Sequence, residues 1–119
     1  DIFGDKWSLL IVRDLMEAKA CTYGDFLKSP EGIATNILAA RLQNLEDNKL
    51  IEKSDHPDSK AKVLYRLTQK GIDLVPVMIE ISLWAEKYLP ISKERKSLLK
   101  EVKKDKAAFI RAAIKNLGS

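Results

Sequence analysis

The sequence is poor in reactive side chains. Its 119 residues include one cysteine, Cys21, and one histidine, His56. A single thiol excludes an internal disulfide framework and a multi-cysteine metal site. His56 stands in a turn with no neighbouring ligand type, so it reads as a solvated turn residue and not as a metal ligand. The chain has no Ser/His/Asp or Cys/His arrangement, no Gly-rich phosphate loop and no pair of carboxylates in an apolar setting. The parts of an enzyme are missing, and nothing asks for a cofactor. No apolar run approaches the roughly 18 residues that span a bilayer, and no signal peptide is visible. The expected location is the cytoplasm, away from membranes. Low-complexity segments and internal repeats are absent too.

What is present suits one small globular fold. Apolar residues make up 45% of the chain and charged residues 32%, ordinary values for a domain with a real core. The net charge of +4 permits nucleic-acid binding without establishing it. The chain opens at Asp1-Ile2-Phe3 without a Met, close to a helix start, so a preceding segment is expected. Asp5 can cap a helix from Lys6 to about Glu17. Trp7, Leu10, Ile11 and Leu15 form its apolar stripe, widened by Leu9, Val12 and Met16, with Trp7 as a core anchor. Lys6 and Arg13 fall outside the stripe. Thr22 opens a short strand or a turn into a helix from about Tyr23 to Lys28, which Gly24 should weaken. Pro30-Glu31-Gly32 makes a turn.

The informative stretch runs from Gly32 to Leu67. Leu38, Leu42 and Leu45 recur at i, i+4 and i+7, the buried stripe of an amphipathic helix over about 34–47. Asn36, Ala39, Ala40 and Gln43 lie on the other side. That face is small and polar, and it reads either as the solvated side of a core helix or as a face for the DNA major groove. In the groove Asn and Gln match adenine edges and Ala touches a thymine methyl. Asn48 can adopt the left-handed conformation that stops the helix. Two period-two runs then flank His56-Pro57-Asp58-Ser59-Lys60-Ala61, predicting an antiparallel hairpin over about 51–67. From Lys49 to Lys70 there are six Lys/Arg and three acids. A basic hairpin beside an exposed helix is a plausible pair of DNA-contacting elements.

These motifs occur in order: GDKWSLLIVRDL, TYGDF, GIATNILAARLQNLEDNKLIEK and YRLTQKG. Together they resemble the HxlR-type winged-helix transcriptional regulators, relatives of the MarR type, over roughly Gly4 to Trp84. The resemblance implies a mainly α fold with a small β-hairpin, a winged helix-turn-helix acting as a dimeric repressor or activator. It makes 34–47 the recognition helix and the hairpin the wing. It also implies a preceding helix that often carries a redox-sensing cysteine, a position Cys21 does not occupy. Three departures from the family pattern stand out. Tyr23-Gly24-Asp25 replaces Phe-x-Glu, Ala34 replaces a common Ser, and Lys49 replaces a frequent Gly. Thr35 then either takes over capping or reaches a phosphate. Arg41 contacts a phosphate or a guanine, or pairs with Glu46 or Glu17. Lys60 and Lys62 are the wing residues for phosphate or the minor groove.

Thr68 caps the next helix, expected to run to about Tyr88 as a long dimerisation helix. Its two apolar stripes, Ile72, Val75, Ile79, Leu83 and Leu74, Met78, Ile81, Trp84, suggest two partners. Pro76 should kink or restart it. The resemblance fades after Leu89-Pro90. Residues 91–119 form a C-terminal helical extension expected to pack on the dimer. One helix is capped by Ser92 and carries Leu98, Leu99 and Val102 with a basic flank, and another spans Asp105 to Leu117. The expected function is sequence-specific binding of double-stranded DNA by a homodimer at a near-palindromic operator, with an unknown small-molecule effector. Residues 1–90 would be the DNA-binding domain. The alternative is a winged-helix module that binds protein and not DNA.

Overall fold

The computed structural model describes residues 6–118. The chain divides into two compact units between Ile72 and Asp73. The expectation that Asp5 caps the first helix falls outside the described residues.

The first unit opens with α1 (Lys6–Ala18). Ile11, Val12 and Leu15 are buried on its inner side, while Trp7 is only half-buried. Both expectations for Thr22 hold together. Cys21 and Thr22 form a two-residue strand, β1, and Thr22 then caps α2 (Tyr23–Leu27). The Thr22 hydroxyl accepts from the Asp25 amide, and the Asp25 carboxylate accepts from the Thr22 amide. This reciprocal pair satisfies two of the open donors of so short a helix. Gly32, at φ 66°, turns the chain into α3 (Thr35–Asp47). There Leu38, Leu42 and Leu45 are buried as the periodicity requires, each worth about 2 kcal/mol of apolar burial.

A hairpin of β2 (Ile51–His56) and β3 (Ser59–Leu67) follows. The short strand at Thr22 joins the hairpin, so the sheet has three strands in the order β1-β3-β2, all antiparallel. Cys21 lies opposite Tyr65, and Ile51 lies opposite Leu67. The register slips near the tip. Asp55 faces Val63 and His56 faces Ser59, so Lys60, Ala61 and Lys62 have no partner on β2.

The helix expected from Thr68 to Tyr88 is two helices. The first is α4 (Gln69–Ile72), with the Thr68 hydroxyl accepting from the Gly71 amide. Gly71 is required there, because a Cβ would lie 2.3 Å from the Leu50 carbonyl oxygen. The break follows from Pro76. A proline has no N–H for the carbonyl four residues back, here Ile72, and its ring crowds that carbonyl. The chain turns at Asp73-Leu74 and restarts with Pro76 in the first turn of the next helix.

The second unit holds α5 (Val75–Tyr88), α6 (Lys93–Lys104) and α7 (Lys106–Gly118). Val75, Met78, Ile79, Leu99 and Val102 are buried. The Ser92 hydroxyl caps α6 by accepting from the Arg95 amide, and the Asp105 carboxylate accepts from the Ala108 amide at the start of α7. Lys103 pairs with Glu86 and Lys106 with Glu80, tying α6 and α7 to α5. Among the described residues, no helix is long and apolar enough to cross a membrane, and no cluster of His, Cys, Asp or Glu is arranged to hold a metal ion.

Candidate nucleic-acid interface

The outer face of α3 is exposed at Thr35, Asn36, Ala39, Ala40 and Gln43. Arg41 is half-buried on its flank. Gln43 is not idle, since its amide Nε2 donates to the Asp47 carboxylate one turn on, at 2.9 Å. Asp47 thereby presets the orientation of a side chain expected to read bases.

Both ends of α3 are held. Thr35 does not cap the helix. The N-cap is Ala34, with extended backbone and no side-chain hydrogen bond. The restraint comes instead from α2, where the Tyr23 hydroxyl donates to the Thr35 carbonyl at 2.6 Å. Upstream, Arg13 on α1 lies 2.5 Å from Glu31 and 2.9 Å from Asp14. The Arg13 hydrogen bond holds the Glu31 carboxyl down to about 2. Burial raises the Asp14 carboxyl despite the same guanidinium. Burial alone would lower the Arg13 pKa, but hydrogen bonds to Glu31 and Asp14 outweigh it.

At the other end the helix stop differs from expectation. Asn48 is not left-handed, with φ −86° and ψ 6°; Lys49 is, at φ 63°. The Lys49 amide donates to the Glu46 carbonyl and the Leu50 amide to that of Leu45. This is the Schellman arrangement. Its register is set by Leu50, which must swing into the core and is 3% exposed. Lys49 thus holds a left-handed backbone at the position where the resemblance gives a frequent Gly. The side chain of Asn48 instead donates back to the Asn44 carbonyl at 2.8 Å.

The wing is clamped to this same corner. Lys53 on β2 lies 3.8 Å from Glu46 on α3. The Thr68 hydroxyl donates to the Lys49 carbonyl and the Lys70 ammonium to the Asn48 carbonyl. Phe26 of α2 packs on Tyr65 of β3, with ring centroids 6.1 Å apart. Lys60 and Lys62 are both exposed in the unpaired part of β3. At the tip His56 Nδ1 accepts from the Asp58 amide.

Sequence reasoning missed Tyr23 and the Arg13–Glu31 pair as positioning residues. A polar arginine beside an otherwise apolar stripe was the available signal for the second. Cys21 is buried, and burial, with Asp14 and Asp25 nearby, pushes its thiol up to about 12. It is a protonated, packed group and not a reactive thiolate.

The HxlR-like helix-turn-helix family model matches residues 2–93. Over 87 residues the chain is 32% identical to the HTH-type transcriptional regulator YodB of Bacillus subtilis (strain 168), covering 73% of this chain and 77% of YodB. It is 34% identical over 79 residues to the HTH-type transcriptional regulator sll1512 of Synechocystis sp., covering 66% of this chain and 58% of that one. Among solved structures, PA1607 matches with a TM-score of 0.68 and 42% identity, covering 78% of this chain and 63% of the other. The reduced form of YodB matches with a TM-score of 0.62 at 32% identity, covering 73% and 84%. Motifs, winged helix-turn-helix fold and relatives agree: the chain belongs to the HxlR-like helix-turn-helix family of transcriptional regulators.

Proposed function

We propose that this chain acts as a homodimer that binds double-stranded DNA sequence-specifically and regulates transcription. The observation that carries the reading is the exposed, small and polar outer face of α3, fixed at both of its ends. In this reading α3, about 34–47, enters the major groove. Asn36 and Gln43 read base edges, and Ala39 and Ala40 allow close approach. With one amide hydrogen of Gln43 directed at Asp47, its carbonyl and second amide hydrogen remain for an adenine edge. Thr35 and Arg41 contact the backbone, and Lys60 and Lys62 of the wing, about 51–67, contact the backbone or minor groove. The first turn of α3, with no side-chain cap, adds amide donors suited to a phosphate oxygen.

The dimer is supported by α5. Val77, Ile81, Trp84 and Tyr88 are 42%, 40%, 58% and 62% exposed. At about 100° per residue they share one stripe, larger and more aromatic than isolated surface residues require. A two-fold dimer places two recognition helices about 34–36 Å apart and predicts a near-palindromic operator. Residues 1–90 then form the DNA-binding part and 91–119 pack on the dimer, in the cytoplasm. A small-molecule effector fits the reading. The buried, protonated Cys21 is not its thiol sensor.

The test is fluorescence anisotropy with the DNA upstream of the chain's own gene and with scrambled DNA, at two salt concentrations. Tight, salt-dependent binding that prefers the upstream duplex supports the reading. Weak and equal binding to both leaves only charge attraction and overturns it.

A further inference from the structure

We propose that the lysine face of α6 is a second, sequence-independent contact for the DNA phosphate backbone. The proposal rests on the DNA-binding reading above and adds to it a surface outside the helix and the wing. The first observation is where the charge lies. Residues 1–90 carry 12 Lys/Arg against 14 Asp/Glu, whereas residues 91–119 carry nine against three. The part expected to read DNA is therefore net −2, and the extension, at +6, supplies the whole positive balance of the +4 chain. DNA affinity comes largely from neutralised phosphates, and the wing lysines alone work against a negative background. The family match ends at residue 93, so this charge is a property of the chain and not of the family pattern.

The second observation is how α6 arranges it. At about 100° per residue, Lys93, Lys96 and Lys100 fall within about 60° of arc. All three are exposed, and Leu99 and Val102 are turned inward. The neighbouring lysines have work elsewhere. Lys103 pairs with Glu86, Lys104 with Glu101 and Lys106 with Glu80. Among the described residues, no ion pair includes Lys93, Lys96 or Lys100. Three like charges on one face repel unless an anion is shared among them. With a rise of about 1.5 Å per residue, Lys93 to Lys100 span roughly 10 Å, about three steps of one DNA strand at ~3.4 Å each. A lipid surface fits less well. Interfacial helices insert an apolar face, and of the apolar side chains of α6 only Leu98 is exposed.

The test compares the full chain with its K93Q/K96Q/K100Q variant by anisotropy, using the upstream and the scrambled duplex. The variant should bind both duplexes more weakly by the same factor. Each lost contact lowers the salt slope by about 0.9. For the three contacts of one protomer the deficit is then roughly 40-fold larger at about 50 mM salt than at about 200 mM, and larger still for a dimer in which both copies lose theirs. Discrimination between the duplexes should stay as in the wild type. The corresponding triple Lys→Arg variant should keep the full slope, and the melting temperature of K93Q/K96Q/K100Q should equal or exceed the wild-type value. A wild type that does not prefer the upstream duplex overturns the base-reading role of α3, while the difference in slope still reports on α6. An unchanged slope overturns the present proposal. So does a variant whose only defect is lost binding to anionic phosphatidylserine vesicles, which would make the face a membrane contact.

Discussion

The Tyr23 hydroxyl donates to the main-chain carbonyl of Thr35 at 2.6 Å, joining the first residue of α2 to the first residue of α3. The two helices of the helix-turn-helix are thus fastened where the second would enter DNA, at the position where the family carries Phe. Tyr23→Phe removes one hydroxyl and leaves the ring. Stability should fall by about 1 kcal/mol, the ordinary net value of such a bond. Affinity for the upstream duplex should fall more than affinity for scrambled DNA, because orientation matters only where bases are read. Urea melts and paired anisotropy titrations measure the two effects. Equal losses on both duplexes would assign the bond a purely structural role.

Arg13 and Glu31 set a limit toward acid. Because the Arg13 hydrogen bond depresses the Glu31 carboxyl from 4.5 to about 2, its stabilisation is complete above pH 4.5 and is lost as pH falls toward 2. Asp14 has the opposite sign. Burial raises its pKa above 3.8, so it contributes stability that is fully present below pH 3.8 and is lost as pH rises through the raised value. Glu31→Gln should lower stability at neutral pH by about 1 kcal/mol, the size expected of a solvent-screened pair. It should also flatten the acid limb between about pH 4.5 and 2. Denaturation curves at about pH 7, 4 and 3 test both statements, and a variant that coincides with wild type at every pH would leave the pair without a role in stability.

Two backbone sites near the wing should respond in opposite directions. Lys49 holds φ 63°, a conformation that costs an L-residue about 1–2 kcal/mol and glycine almost nothing. Lys49→Gly should therefore stabilise the fold by about 1 kcal/mol. Gly71→Ala should destabilise it by several times as much, since the new methyl would meet the Leu50 carbonyl oxygen at 2.3 Å and Leu67 at 2.9 Å. Calorimetry on the two variants gives the signs directly. A loss at Lys49→Gly would mean that its side chain contributes more than its backbone costs.

The base readers and backbone contacts proposed above are distinguishable by their salt dependence. Asn36→Ala and Gln43→Ala should each cost about 1–3 kcal/mol on the upstream duplex and relax sequence preference. Lys60→Ala and Lys62→Ala should weaken binding to all sequences and reduce the salt slope by about 1 each per protomer. Asp47→Asn keeps a hydrogen-bond acceptor for Gln43 and removes a negative charge beside the exposed face of α3, so, if that face meets DNA as proposed, it should strengthen binding to both duplexes. Full discrimination in both amide variants would remove Asn36 and Gln43 from the readout.

The parts of the fold that the sequence made legible are those with a period. Leu38, Leu42 and Leu45 announced α3 and its exposed face, and alternation around Tyr65 announced the wing. The features that escaped have no period. The pairing of Cys21 and Thr22 with β3 joins residues more than 40 positions apart, which no local pattern signals. Arg13 and Glu31 meet across two elements. The helix stop was misplaced by one residue because Asn tolerates a left-handed backbone better than Lys does. The deciding factor was the burial of Leu50, a tertiary requirement that overrode local preference. Pro76 pointed to a restart, and the break falls at the residue whose carbonyl it cannot satisfy. Of the candidate site, the identity and exposure of the α3 face were readable. The supports at Tyr23, Asp47 and Glu46 were not, since each depends on which side chains the fold brings together.

The seclusion of Cys21 has a practical side. Its sulfur is buried, donates weakly to the Asp14 carbonyl of α1 at 3.9 Å and stays protonated far above neutral pH. Maleimide and iodoacetamide reagents react with exposed thiolates and should pass it by. A new cysteine on the surface, for instance Lys60→Cys at the wing tip, can then carry a dye or spin label with the native thiol left in place. The chain comes with a silent background for watching where its wing goes.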